Sequence, residues 1–141
     1  MNHPTPILPG NVPLTLFECA VHAGFPSPAA DYAQRRIDLN QHLLLNENSS
    51  FLFRVRGDSM KDIGIYEGDT LIVDRSVSPL HNQIVLAVID GEFTVKRLFK
   101  RGKDIRLIPE NSDYPTIELK EGQELTIWGV VTFCLHRLLN V

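Results

Sequence analysis

Ile84-Val85-Leu86-Ala87-Val88-Ile89-Asp90-Gly91-Glu92-Phe93-Thr94-Val95-Lys96-Arg97-Leu98-Phe99 is the stretch from which the fold can be read. Its first six residues are continuously apolar, the pattern of a strand buried on both faces. Asp90-Gly91 is a strong two-residue hairpin signal, because the tight turn it favours needs positive φ at both positions. Glu92 to Phe99 is then the returning strand. With that loop, Lys96 falls opposite Val85 and shares a face with Thr94 and Leu98. A lysine so placed is largely desolvated, which disfavours its charged form and lowers its pKa. A base working near neutral pH needs a lysine at about 7–8 rather than about 10.4. That shift, about 3 units, corresponds to roughly 4 kcal/mol, which the loss of an ammonium's hydration can supply. The other reading is a lysine that snorkels to solvent from its strand, and the pattern alone leaves both open.

The β signal extends in both directions. Upstream, Phe51 to Arg56 alternates, Tyr66-Glu67-Gly68-Asp69 is a turn and Thr70-Leu71-Ile72-Val73 a strand. Downstream come the turn Arg101-Gly102-Lys103, the strand Ile105 to Ile108, the loop Asn111-Ser112-Asp113-Tyr114-Pro115, and the last strands, Thr116 to Leu119 and Leu125 to Leu135. Short strands with frequent turns predict a mainly β, small, twisted, barrel-like domain over residues 47–141. Leu125 to Leu135 is too apolar for an exposed edge.

Ser59 sits in Gly57-Asp58-Ser59-Met60, just past a strand end, where a glycine turn can expose a hydroxyl. Such a hydroxyl is a poor nucleophile until a base takes its proton. No histidine lies within ten residues of it, and Asp58 has no histidine with which to complete a triad. Lys96 is the better base candidate. Lys61 competes on proximity, but Asp62 follows it in a polar turn that keeps it solvated. Ser59 without a base is an ordinary turn serine.

Composition sets bounds on the rest. A chain of 141 residues with 43% hydrophobic content supports one real core and an arm. No apolar run is long enough to cross a bilayer, and a basic secretory n-region is missing, so a soluble cytoplasmic protein without a membrane partner is expected. Cys19 and Cys134 read as free thiols. The five histidines show no ligand spacing with them, so neither a metal nor any other cofactor is expected. The net charge of −3 argues against a whole-molecule nucleic-acid binder. Lys96, Arg97, Lys100, Arg101, Lys103 and Arg106 cluster around one hairpin, as a solvated turn or as a contact for nucleic acid or an acidic partner. Residues 1–46 differ from the rest. Six of the nine prolines fall in the first 30 residues, and no Lys or Arg precedes Arg35. This predicts an extended arm that docks as a strand, or a disordered tail, with weak helix over Ser27 to Leu45 and a short helical turn within Asp38 to Leu44. The length is too short for a helix-turn-helix.

Taken together and in order, these motifs resemble the self-cleaving LexA/UmuD family of serine–lysine peptidases. They are Gly57 to Ile65, Gly68 to Asp74, Asp90 to Leu98, Ile108-Pro109-Glu110-Asn111-Ser112-Asp113-Tyr114 and Trp128-Gly129-Val130-Val131. Gly24 to Tyr32 and Arg36 to Asn40 are similar to its UmuD branch, accessory subunits of translesion polymerases. The resemblance implies a LexA/signal-peptidase-like β domain with Ser59 as nucleophile and Lys96 as general base. It puts the scissile bond at Ala23-Gly24 on the arm, and the backbone N–H groups of Asp58 and Ser59 then become the oxyanion donors. It further implies an SOS-response role in mutagenesis and a homodimer built through the C-terminal region. Cleavage would be stimulated by a RecA–single-stranded-DNA filament, the effector would be a Y-family polymerase, and LexA-like relatives are further candidate partners. Ala23 stands where UmuD has cysteine, as in the LexA repressor, and both are small. Two other readings are a catalytically inactive binding module of the same fold, regulating polymerase access, and a signal-peptidase-like enzyme acting on other proteins.

Overall fold

The computed structural model describes residues 5–6, 13–18, 21, 23–25 and 34–140. Its elements, in chain order, are β1 (Thr5–Pro6), β2 (Pro13–Phe17), β3 (Gln34–Asp38), α1 (Leu39–His42), β4 (Ser50–Arg54), β5 (Thr70–Asp74), β6 (Ile84–Ile89), β7 (Glu92–Arg101), β8 (Asp104–Ile108), β9 (Ile117–Glu118) and β10 (Leu125–Leu135), with a 3-10 turn at Lys61–Ile63 between β4 and β5. Mainly β architecture is thus what the chain adopts. It divides into two compact units, Leu8–Asn46 and Met1–Ile7 with Glu47–Val141.

In the smaller unit, β2 and β3 form an antiparallel ladder in which Leu14 stands opposite Ile37 and Phe17 opposite Gln34. This corrects the helical reading of Ser27 to Leu45 for residues 34–38, which are strand. Ladder pairing with a partner some twenty residues upstream outweighs a weak local helix preference, as tertiary context routinely does. Residues 27–33 of that expected helix lie outside the described residues. The short helical turn does form as α1, and the Asp38 side chain caps it by accepting from Asn40 N at 3.1 Å.

The larger unit is one antiparallel sheet in the order β1-β4-β5-β10-β6-β7-β8-β9. The β6–β7 hairpin closes through Asp90 and Gly91 at φ of 49° and 83°, the double positive φ that its two-residue turn requires. The alternation of side chains sorts the apolar residues into two clusters. Phe53, Leu71, Val73 and Leu86 belong to one, while Val85, Ala87, Leu98 and Leu107 belong to the other. Burial of β6 on both faces follows from this split. β10 is central, paired on one side with β5 and on the other with β6, so its length of eleven apolar-rich residues reflects two satisfied ladders. Gly129 is required there, because a Cβ at that position would lie 2.6 Å from Val73 Cγ1 and 3.2 Å from the Asp74 carbonyl oxygen.

Candidate active site

Ser59 is carried by the connection that leaves β4. Gly57 turns the chain at φ 82°, and Met60, 1% exposed, anchors the loop in the core beside Phe53 and Leu71. A 3-10 turn follows and ends at Gly64 in the left-handed region. Between a glycine that turns the chain and a methionine that is buried, Ser59 is left half-buried at the domain surface.

Lys96 comes from the middle of β7, directly opposite Val85, as the hairpin register dictates. With Val85 and Leu98 fully buried on that face, the lysine is itself only 8% exposed. Its Nζ lies 3.1 Å from Ser59 Oγ, 2.7 Å from Thr94 Oγ1 and 3.0 Å from the Val95 carbonyl oxygen. All three partners are neutral. Burial therefore pushes the Lys96 ammonium below its ordinary pKa with no carboxylate opposing the shift. Lys61, by contrast, is exposed.

The pair opens on a cavity of about 460 Å³ lined by Phe53, Leu71, Leu86, Phe93 and Val95, with Arg54 and Glu92 at its margin. Apolar side chains line it together with the polar Arg54, Arg56, Glu92 and Thr94, and Ser59 and Lys96 are part of the lining, so a peptide bound there would meet both kinds of surface. Among the described residues, the amides of Asp58 and Ser59 donate to no protein acceptor. Ala23 and Gly24 lie in the smaller unit, in an exposed bend.

Three groups of residues carry roles that the sequence did not reveal. Thr94, two residues before the lysine on the same strand face, is its shortest contact. The segment following β8 grips the serine loop by several bonds. Glu110 N donates to the Ser59 carbonyl at 2.9 Å, Asn111 Nδ2 to the Asp58 carbonyl at 2.9 Å, and the Tyr114 hydroxyl to Asp58 Oδ1 at 2.6 Å. Arg97 pairs with Glu110 behind them. The third group is a buried carboxylate. Asp69 accepts from Tyr66 N at 2.8 Å, from Cys134 Sγ at 3.3 Å and from the His136 ring. Burial, and then the bond to Asp69, push the Cys134 thiol up to about 11. Cys19 lies outside the described residues.

The basic hairpin is smaller than it reads in sequence. Lys96 is buried in the site, Arg97 is paired with Glu110, and Arg106 is paired with Asp104 and Glu118. Lys100, Arg101 and Lys103 remain exposed at the turn.

An antiparallel β domain that holds a turn serine against a desolvated strand lysine has the makings of a serine peptidase domain. Comparison with known proteins agrees. The chain matches the Peptidase S24-like family over residues 15–132 and belongs to it. It is 45% identical to protein SamA of Salmonella typhimurium, over 86% of this chain and 84% of that one. It is 41% identical to protein MucA of Escherichia coli, over 82% of this chain and 79% of MucA. It is also 42% identical to the LexA repressor of Thiobacillus denitrificans, where 78% of this chain matches about half, 55%, of the repressor. No helix among the described residues is long and apolar enough to cross a membrane.

Proposed function

We propose that this protein cleaves itself between Ala23 and Gly24. Ser59 Oγ attacks the Ala23 carbonyl carbon as Lys96 Nζ accepts the hydroxyl proton. The tetrahedral oxyanion is held by the amides of Asp58 and Ser59. As the Ala23–Gly24 bond breaks, Lys96 returns the proton to the Gly24 nitrogen, which leaves as a new N-terminus. Water activated by the same lysine then releases residues 1–23 from Ser59. Thr94 holds the lysine in place by its 2.7 Å contact. The observation that carries this reading is the 3.1 Å approach of a buried, carboxylate-free lysine to the serine hydroxyl. An alanine before the bond and a glycine after it offer the carbonyl with little steric hindrance.

Membership of the family and the likeness to SamA and MucA support a biological setting for this reading. In this reading the protein is a UmuD-like, cytoplasmic component of the SOS response. A RecA–single-stranded-DNA filament stimulates cleavage by favouring the cleavage-competent arrangement of the arm, which needs no catalytic group from the partner. The shortened chain then serves a Y-family translesion polymerase in SOS mutagenesis, as a homodimer, with LexA-like relatives as further partners. The dimer face in this reading is the apolar strand around Trp128 to Leu135, where the half-buried Phe133 and the exposed Leu135 belong to neither apolar cluster.

Two measurements test this. After incubation at mildly alkaline pH, the large fragment should contain residues 24–141, which is 118 residues (141 less 23), beginning at Gly24. Another N-terminus would refute the bond assignment, and a chain that stays intact even with the filament present would favour the binding-module reading. Phe133→Lys should sediment as a folded monomer in analytical ultracentrifugation; an undiminished dimer would place the interface elsewhere.

A further inference from the structure

We propose that Asn111 and Tyr114 are positioning residues that set the oxyanion-binding geometry of the Ser59 loop, an inference that rests on the self-cleavage reading. In a trans peptide the carbonyl and the following N–H point in opposite directions. Asn111 Nδ2 holds the Asp58 carbonyl at 2.9 Å, with the Lys61 N–H as a second, longer donor at 3.2 Å, and Glu110 N holds the Ser59 carbonyl at 2.9 Å. Two successive peptide planes are thereby fixed with their carbonyls toward the 110–114 segment. The Ser59 N–H, on the plane that Asn111 and the Lys61 N–H fix, faces away from the Asp58 carbonyl with no protein acceptor among the described residues. A donor preorganised in this way stabilises developing negative charge without reorganising during the reaction.

Asn111 is suited to the task because it is itself immobilised. It is 4% exposed, and its Oδ1 accepts from Asp113 N at 3.0 Å, which orients the amide so that Nδ2 faces the Asp58 carbonyl. Tyr114 addresses a different problem. The Asp58 carboxylate sits on the residue whose amide is one of the proposed oxyanion donors, and a negative charge swinging toward a forming oxyanion opposes it. The Tyr114 hydroxyl holds that carboxylate at 2.6 Å, while Asn111 holds the carbonyl of the same residue. The two bonds fix Asp58 at both ends, with its charge tied to the 110–114 segment.

The test compares self-cleavage of the full chain across pH with thermal unfolding of each variant. Asn111→Ala should lower the high-pH plateau by roughly 10²-fold, about what loss of one oxyanion donor costs. The midpoint of its pH profile should stay at the wild-type value, because Lys96 is untouched. Tyr114→Phe, which removes one exposed hydroxyl and leaves the core intact, should slow the plateau several-fold. Asp58→Asn combined with Tyr114→Phe should recover most of that loss, since the charge to be restrained is gone. A merely structural role predicts no such recovery. Wild-type plateau rates in Asn111→Ala, or a Tyr114→Phe loss that Asp58→Asn does not relieve, would overturn the positioning role while leaving self-cleavage standing. A wild-type chain that never cleaves overturns both.

Discussion

Lys96 and Asp69 are the ionisable side chains buried in the β domain among the described residues, at 8% and 2% exposure, and their surroundings treat charge in opposite ways. Asp69 is met by donors. Burial alone would raise its carboxyl, but the Tyr66 amide, the His136 ring and the Cys134 thiol more than offset this and hold it below the ordinary carboxylate value. Lys96 is met by two hydroxyls and a carbonyl, none of them charged, so burial acts on it unopposed and lowers its pKa. The first environment keeps a charge as a structural tie between the turn before β5 and the chain after β10. The second makes a charge easy to lose, as a general base requires. Burial alone therefore does not mark a reactive group; the chemical nature of the partners decides.

The largest expected effect follows from the lysine side of the contrast. Ser59→Ala and Lys96→Ala should each abolish self-cleavage at every pH, whereas Lys61→Ala should retain the wild-type rate profile. In the wild type the rate should be low at neutral pH and rise as pH passes through the folded-state pKa of Lys96, because only the neutral amine accepts the proton. Rates from intact-mass time courses, with circular dichroism to establish folding, check this. A Lys96→Ala protein that cleaves with the wild-type profile would show that another group is the base, and the contrast with Asp69 would lose its functional meaning.

The carboxylate side predicts a loss of stability with chemistry preserved. Asp69→Asn weakens charge-assisted bonds to three donors and should cost about 2 kcal/mol in urea unfolding at neutral pH. Cleavage of the folded variant should stay within about twofold of wild type. The sign with pH follows from the lowered carboxyl. Its contribution is complete above the unfolded value of about 3.9 and is lost as pH falls toward the folded value. The variant should therefore lack part of the acid-side loss that the wild type shows. Equal acid limbs in the two proteins would mean that Asp69 is not held charged.

The two buried ions were not equally legible in the sequence, and the reason is range. Lys96 is fixed by local information: a two-residue turn at Asp90-Gly91 sets the register, and the register puts it opposite Val85. Thr94 was within reach of the same reasoning as its neighbour on that face. Asp69 reads as part of a turn, because its partners Cys134 and His136 lie 65 and 67 residues further on. Asn111 and Tyr114 were legible as a loop, but their grip on Asp58 spans 53 and 56 residues. Pairing of β2 with β3 was hidden for a different reason. Gln-Arg-Arg-Ile-Asp has no alternation strong enough to mark a strand, so only its partner defines it.

The subtlest effect separates the stability of the site from its activity. Lys96→Met keeps an unbranched side chain of similar reach and removes the ammonium. The Val95 carbonyl and the two hydroxyls lose a donor, which costs about 1 kcal/mol at any pH. Against that, the variant no longer buries a charge. The lysine's folded pKa lies below its unfolded value, so between the two the unfolded chain binds more protons and wild-type stability rises with pH. That rise begins at the folded value and ends near the unfolded value of about 10.4. Below the window the wild type carries the full penalty of a buried ammonium; above it the penalty is gone. Stability of Lys96→Met relative to a wild-type reference made uncleavable by Ser59→Ala should thus be most favourable at neutral pH and decline steadily as pH rises through the window. Urea unfolding of both proteins at half-unit pH steps measures the difference directly. Two parallel curves would mean that the amine is as easily protonated in the folded domain as in the unfolded chain. In that case the lysine is solvated, and a partner that excludes water from the cleft must supply the shift that burial is assigned here.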